Sequence, residues 1–155
     1  VDINKEGKLE IIASYPEQKF LPAGYFAYDA SDDVINYDPG MIKTADGKLA
    51  LLHEVCHAIL GHFHYRFDFE LFAMEMDAWN LTRELARKHS LRINESYINE
   101  CMESYQQWLT KRGTCPKCNQ FNMQSVPNQF KCYRCHTRWK VSEDIQSSIR
   151  RKVIK

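Results

Sequence analysis

No apolar run in the chain approaches the length needed to cross a bilayer, and no charged-then-apolar leader precedes Lys5. The first absence excludes a helical membrane span, and the second removes the mark of secretion, so a cytoplasmic protein is expected. Internal repeats and low-complexity linkers are missing as well, which excludes a repeat array and a flexible tether. What remains is an ordinary globular composition, 44% hydrophobic and 26% charged over 155 residues. That length is enough for one domain, or one domain with a small appendage, and for a real core. The net charge of +1 conceals an asymmetry. Before Cys115 there are 12 basic and 18 acidic side chains; from Cys115 onward there are 9 basic and 2 acidic, so the parts carry −6 and +7. The basic part can meet an anionic partner such as nucleic acid, or dock on the acidic body of its own chain.

Residues 51–62 read LLHEVCHAILGH and contain His53-Glu54-Val55-Cys56-His57, an H-E-x-x-H pattern. On a helix, residues four apart share a face, so His53 and His57 can aim two imidazoles at one metal while Glu54 stands beside the water to be activated. Five residues with two wildcards also match by chance, and the alternative is a core helix with hydrogen-bonded histidines. Context favours metal. Leu49, Leu52, Val55, Cys56, Ile59 and Leu60 make the segment apolar around much of its circumference, so its polar side chains need a partner.

Cys115-Pro-Lys-Cys118 and Cys132-Tyr-Arg-Cys135 give C-x2-C twice, across a 13-residue spacer. This is the ligand arithmetic of a tetrahedral structural zinc site. Phe121, Phe130, Tyr133 and Trp139 are expected to supply a small core that depends on the metal. The segment is similar to a zinc ribbon, with Asn119 and His136 where such knuckles often carry Gly; both types tolerate positive φ. Cys132–His136 also matches a C-x-x-C-H haem attachment, which would leave Cys115 and Cys118 idle, and a cytoplasmic setting disfavours disulfides. Cys56 and Cys101 read as small buried hydrophobes.

Stretches 8–14, 23–30 and 34–37, punctuated by Pro16, Pro22, Asp32-Asp33 and Pro39-Gly40, predict a sheet of about three strands. The motif helix should end near Gly61, a second should run from Asp68 to His89, and a third from an Asn94 cap to Lys111, closed by Gly113. Ser142 should open a short amphipathic tail with Ile145, Ile149 and Val153 spaced by four. The expected fold is α+β: a small N-terminal sheet packed on the motif helix and two further helices, then a ribbon. Residues 1–112, 113–141 and 142–155 are the expected peptidase domain, ribbon and basic tail.

Catalytic zinc usually takes three protein ligands and leaves one position open. A metzincin would need Gly at position 60 and His at 63, where this chain has Leu60 and Phe63. Glu75-Met76-Asp77-Ala78 on the second helix supplies E-x-x-A instead. With His53, Glu54 and His57 it resembles the ImmA/IrrE family of compact metallopeptidases over about residues 20–90. Val55-Cys56 departs from the Leu-Gly frequent there. The resemblance implies a catalytic zinc held by His53, His57 and Glu75, Glu54 as general base, and substrate pairing along the strand Asp33, Val34, Ile35, Asn36 and Tyr37. His62 or His64, or the carboxylates of Glu70 or Asp77, are the other ligands open at this point.

The chain is also similar to SprT-like proteases, which join an H-E-x-x-H domain to a zinc ribbon but take a downstream histidine as third ligand; none occurs between Tyr65 and Lys88. The expected activity is zinc-dependent hydrolysis of a protein substrate such as a regulator or repressor, with an oxyanion donor among His62, His64, Tyr65 and Tyr97. Two other functions stay open: a protease acting on DNA-bound proteins, and an idle zincin fold. In either, the ribbon and tail would contact nucleic acid or a partner protein through Lys117, Lys131, Arg134, Arg138, Lys140, Arg150, Arg151 and Lys152.

Overall fold

Short β-branched and aromatic segments between turn formers build the first sheet. In the computed structural model, which describes residues 10–142 and 149–154, these are β1 (Lys19–Pro22), β2 (Ala27–Asp29) and β3 (Val34–Tyr37). Their order is β1-β3-β2, with β1 parallel and β2 antiparallel to β3. Asp33, at φ 51°, turns the chain from β2 into β3. Val34, Ile35 and Tyr37 are buried. The expected first strand at 8–14 is corrected: residues 10–14 are helical, with Ser14 Oγ donating to Glu10 O, and residues 8 and 9 lie outside the described residues. Local i to i+4 bonding wins there because only Ile11 is fully buried, where a strand would alternate.

Three helices follow: α1 (Ala45–Ile59), α2 (Asp68–Lys88) and α3 (Glu95–Gly113). Thr44 caps α1 by accepting from the Gly47 amide at 2.9 Å. A Cβ on Gly47 would lie 1.9 Å from Met41 O, so only glycine lets the helix start against the 3-10 turn Met41–Lys43. Leu49, Leu51, Leu52 and Val55 are fully buried, each side chain contributing about 1.5–3 kcal/mol by leaving water. Asn94 Oδ1 accepts from the Tyr97 amide at 3.2 Å, the expected cap of α3.

The chain divides into two compact units, Val1–His64 with Met74–Ile98, and Tyr65–Ala73 with Asn99–Lys155. In the first, α1 packs on β2 and β3. The second contains an antiparallel sheet, β4 (Gln124–Val126), β5 (Gln129–Lys131), β6 (Arg138–Val141) and β7 (Arg151–Ile154), in sequential order. The tail thus ends as a strand, correcting the spacing-by-four reading: β6 offers an open edge, and β7 fills it with Lys152 opposite Lys140. Ile145 lies outside the described residues. Phe130 and Trp139, stacked 5.2 Å apart, form the small core with Val141, Cys115 and Cys132. Phe121 and Tyr133, expected in that core, are 37% and 68% exposed: Phe121 bridges to Thr114 beyond the first cysteine turn, and Tyr133 sits within the second. The chain is α+β. No helix among the described residues is long and apolar enough to cross a membrane.

Candidate metal centres

The helical spacing of His53 and His57 does what the sequence required of it. Their Nε2 atoms lie 3.0 Å apart, and Glu75, brought in by α2, places Oε2 3.1 Å from His53 Nε2 and Oε1 3.4 Å from His57 Nε2. All three residues are buried, at 6%, 8% and 5% exposed. Bonds of about 2.0–2.1 Å at tetrahedral angles put neighbouring ligand atoms about 3.3–3.4 Å apart, so three donors converging at this separation fit one cation of zinc's size. Two imidazole lone pairs this close repel unless a metal or a proton lies between them. The group can hold a metal ion.

The surroundings fix the rings. His53 stacks on Trp79, one turn beyond Glu75, with centroids 3.8 Å apart and planes at 17°. Were a metal held at Nε2, Nδ1 would carry each ring's proton; at His53 that buried atom has no partner among the described residues. At His57 it would then donate to His62 Nδ1, 2.9 Å away. Local backbone brings His62 there. Gly61, at φ 64°, closes α1 with its amide on Ala58 O and the His62 amide on His57 O, a Schellman motif that folds the chain back over the last turn.

Glu54 points its carboxylate at β2, where Oε2 accepts from the Tyr28 amide at 2.7 Å. Burial raises its pKa above the ordinary carboxylate value, against the lowering effects of His53, His57 and the Tyr28 amide. Burial would also raise Glu75, but hydrogen bonds and charge from the two histidines outweigh it and hold the carboxyl near 2. Burial pulls His57 down, and the Glu75 bond and charge more than reverse it, leaving it raised. His62 is lowered, by burial first and by His57 second, which suits an acceptor ring.

The other candidates fall elsewhere. His64 is exposed against Phe63. Tyr65 belongs to the second unit. Tyr97 packs edge-on against Trp79 at 6.1 Å. Glu70 accepts the Arg66 and Phe67 amides at the start of α2, and Asp77 is exposed; neither joins the ligand group. The Asp33–Tyr37 segment is corrected as a docking edge, since β3 is bonded on both sides; β2 is the edge beside Glu54. Sequence reasoning missed Tyr28 and Trp79. The spacing of four from Glu75 could have flagged Trp79, whereas nothing local marks Tyr28.

In the second unit, two matching turns present the cysteines. Asn119 and His136 both sit at φ 58°, and their amides bond to Cys115 O and Cys132 O at 3.0 Å. Cys115 and Cys135 sulfurs lie 3.6 Å apart, Cys118 and Cys132 3.5 Å, too far for disulfides and near the separation of about 3.8 Å that tetrahedral Zn–S bonds of about 2.3 Å impose. Thr137, through its hydroxyl and amide, lowers Cys135 to about 6. The Gln120 amide works to lower Cys118, yet burial and the three neighbouring sulfurs push it up to about 12. Four sulfurs competing for protons in this way are set up to exchange them for a metal ion. Cys56, by contrast, is buried and pushed up to about 12, an inert thiol, and Cys101 is partly buried.

No protein-family model, curated protein or solved structure matches this chain, so its functional reading rests on the residues themselves.

Proposed function

We propose that the chain is a zinc-dependent endopeptidase whose catalytic zinc is held by His53, His57 and Glu75, with a second, structural zinc on Cys115, Cys118, Cys132 and Cys135. The observation that carries this reading is the buried convergence of His53 Nε2, His57 Nε2 and the Glu75 carboxylate beside the carboxylate of Glu54. A carboxylate as third donor supports the gluzincin-type arrangement over the SprT-like one, in which a histidine completes the set. Zinc bound there would supply Lewis acidity, polarising a scissile carbonyl and bringing the pKa of water to about 7.

The chain's own groups do the rest. Glu54 Oε2 is held by the Tyr28 amide, which orients the carboxylate and leaves Oε1 to take a proton from the attacking water and return it to the leaving nitrogen. Its raised pKa suits that exchange better than an ordinary carboxylate would. His57 is kept in one tautomer by His62, and His53 in one orientation by Trp79. A substrate peptide in extended form pairs along the outer edge of β2, beside Glu54.

The test joins metal content to cleavage. Elemental analysis of the full chain should give two zinc ions, falling to one in Glu75→Ala and staying at two in Glu54→Gln. Incubation with a peptide library read by mass spectrometry should give cleavage products with the parent and none with Glu54→Gln. A Glu54→Gln chain that cleaves at the parent rate, or a Glu75→Ala chain that keeps two zinc ions, overturns the reading.

A further inference from the structure

The C-terminal sheet has two unlike faces. Phe130, Trp139 and Val141 turn inward to the core, so the residues between them turn out. Lys131 of β5, Arg138 and Lys140 of β6 and Lys152 of β7 are all exposed. Register sets them against one another: Lys131 faces Arg138 across one strand pair, and Lys140 faces Lys152 across the next.

Like charges directly opposite each other on antiparallel strands are destabilising. Here two such pairs lie side by side, with about 6.6–6.8 Å between Arg138 and Lys140 along β6 and about 4.8 Å between strands. Among the described residues no carboxylate forms an ion pair with any of the four; the Lys/Arg ion pairs found are Arg83–Glu95 and Arg112–Asp68. The strand β7 makes this arrangement, and the sequence alone did not reveal it. A sheet held together by its core face, whose other face carries rows of cations with no ion-pair partner among the described residues, gains from an external polyanion.

We propose that this outward face, through Lys131, Arg138, Lys140 and Lys152, binds the phosphate backbone of a nucleic acid. The cations lie in rows on one face of the sheet, which matches a chain of regularly repeated phosphates better than a single anion. A membrane surface would call for a broad apolar set projecting with the cations; here Val126, in the row of Gln129, Lys140 and Lys152, is a single small side chain, and the aromatic residues Phe130 and Trp139 face the core. Contacts of this kind are made to the backbone, so binding should be strongly salt-dependent and weakly dependent on base sequence.

The experiment is fluorescence anisotropy of the full zinc-loaded chain with labelled 20-nucleotide probes: single-stranded DNA, duplex DNA and single-stranded RNA, from 50 to 200 mM salt. Four phosphate contacts give a slope of log K against log salt of about −3.6 on duplex and about −2.8 on a single strand, and the strongest probe identifies the nucleic acid. Lys140→Gln with Lys152→Gln should reduce the duplex slope by about 1.8 and weaken binding in 50 mM salt at least tenfold. Because both residues are exposed, the fold should persist, checked by unchanged zinc content. Neutralising Lys19 and Lys43, on the first unit, should change nothing. The proposal is overturned if no probe binds in 50 mM salt, if the Lys140/Lys152 variant binds like the parent, or if polyglutamate or phosphatidylserine vesicles bind as tightly as the oligonucleotides.

Discussion

In the second compact unit Arg112 is 1% exposed and closed on every side by its own chain. Its Nε donates to Asp68 Oδ2 at 2.8 Å and one Nη to Asn128 Oδ1 at 2.7 Å; the other bonds to Ser142 O, and the guanidinium lies 4.5 Å over the Trp108 ring. In the first unit His53, His57 and Glu75 are buried to a similar degree, yet their donor atoms point at one another. One cluster carries its own cation; the donor atoms of the other converge on a position that can hold one. Burial of charge is costly in both, so each needs a counter-charge. The difference separates a structural ion pair from a group that can hold a metal ion without reference to any motif.

The sharpest way to break the comparison is to open the closed cluster. Arg112→Ala strands the Asp68 carboxylate, which is 5% exposed, and should destabilise the second unit by about 3–5 kcal/mol. Urea unfolding followed by Trp139 fluorescence reads it, because the indole Nε1 donates to Arg112 O. Asp68→Leu combined with Arg112→Met should recover much of the loss, since an apolar pair of similar volume can replace a buried ion pair. If the single variant costs under 1 kcal/mol, the pair is not a fixed part of the core.

A smaller effect tests the open cluster through its support. His62→Ala removes the acceptor of His57 Nδ1 and should weaken zinc binding at the histidine site 10–100-fold, measured by chelator competition, as loss of such partners typically does. His62→Asp restores an acceptor and should recover most of the affinity. Gly61→Ala should act in the same direction, because a Cβ is strained at φ 64° and the turn carries His62. Affinity unchanged in His62→Ala would mean that its ring only rests against His57.

The comparison also explains which parts were legible in the sequence. His53 and His57 are linked by one helical turn, and the cysteine pairs by tight turns with Asn119 and His136 at positive φ, so local spacing carried their geometry. Glu75 was legible only through the E-x-x-A resemblance, and Asn94 because a cap is a local bond. Tyr28 and Asp68–Arg112 were not: the first reaches Glu54 across 26 residues and the second pair is 44 apart, joined only by packing. Sheet order was equally hidden. Strand β3 was found at its observed bounds, but nothing in its sequence says that β1 and β2 flank it, and the edge role passes to β2. The spacing by four did not foretell Arg151–Ile154, which the β6 edge recruits as a strand.

The smallest and most discriminating effect is the sign of the pH dependence. Without metal, Glu75 has its pKa lowered from 4.5 to about 2, so its contribution to stability is present above 4.5 and lost as pH falls toward 2. His57 is raised above 6.5, so its contribution is present below 6.5 and lost as pH climbs through the raised value. Glu54, raised from 4.5 by burial, adds to the loss on the alkaline side. Chelated protein should therefore protect the α1 amides best near pH 4.5–5.5, measured by hydrogen exchange corrected for intrinsic rates. Glu75→Gln should flatten the acid limb and shrink the alkaline one, since Glu75 is what raises His57. Zinc reverses the slope, because binding requires both Nε2 atoms free of protons and so strengthens as pH rises from 6 to 8. If chelated and zinc-loaded protein change in the same direction over that interval, the three donors bind protons but not metal, and the open cluster is only a second closed one.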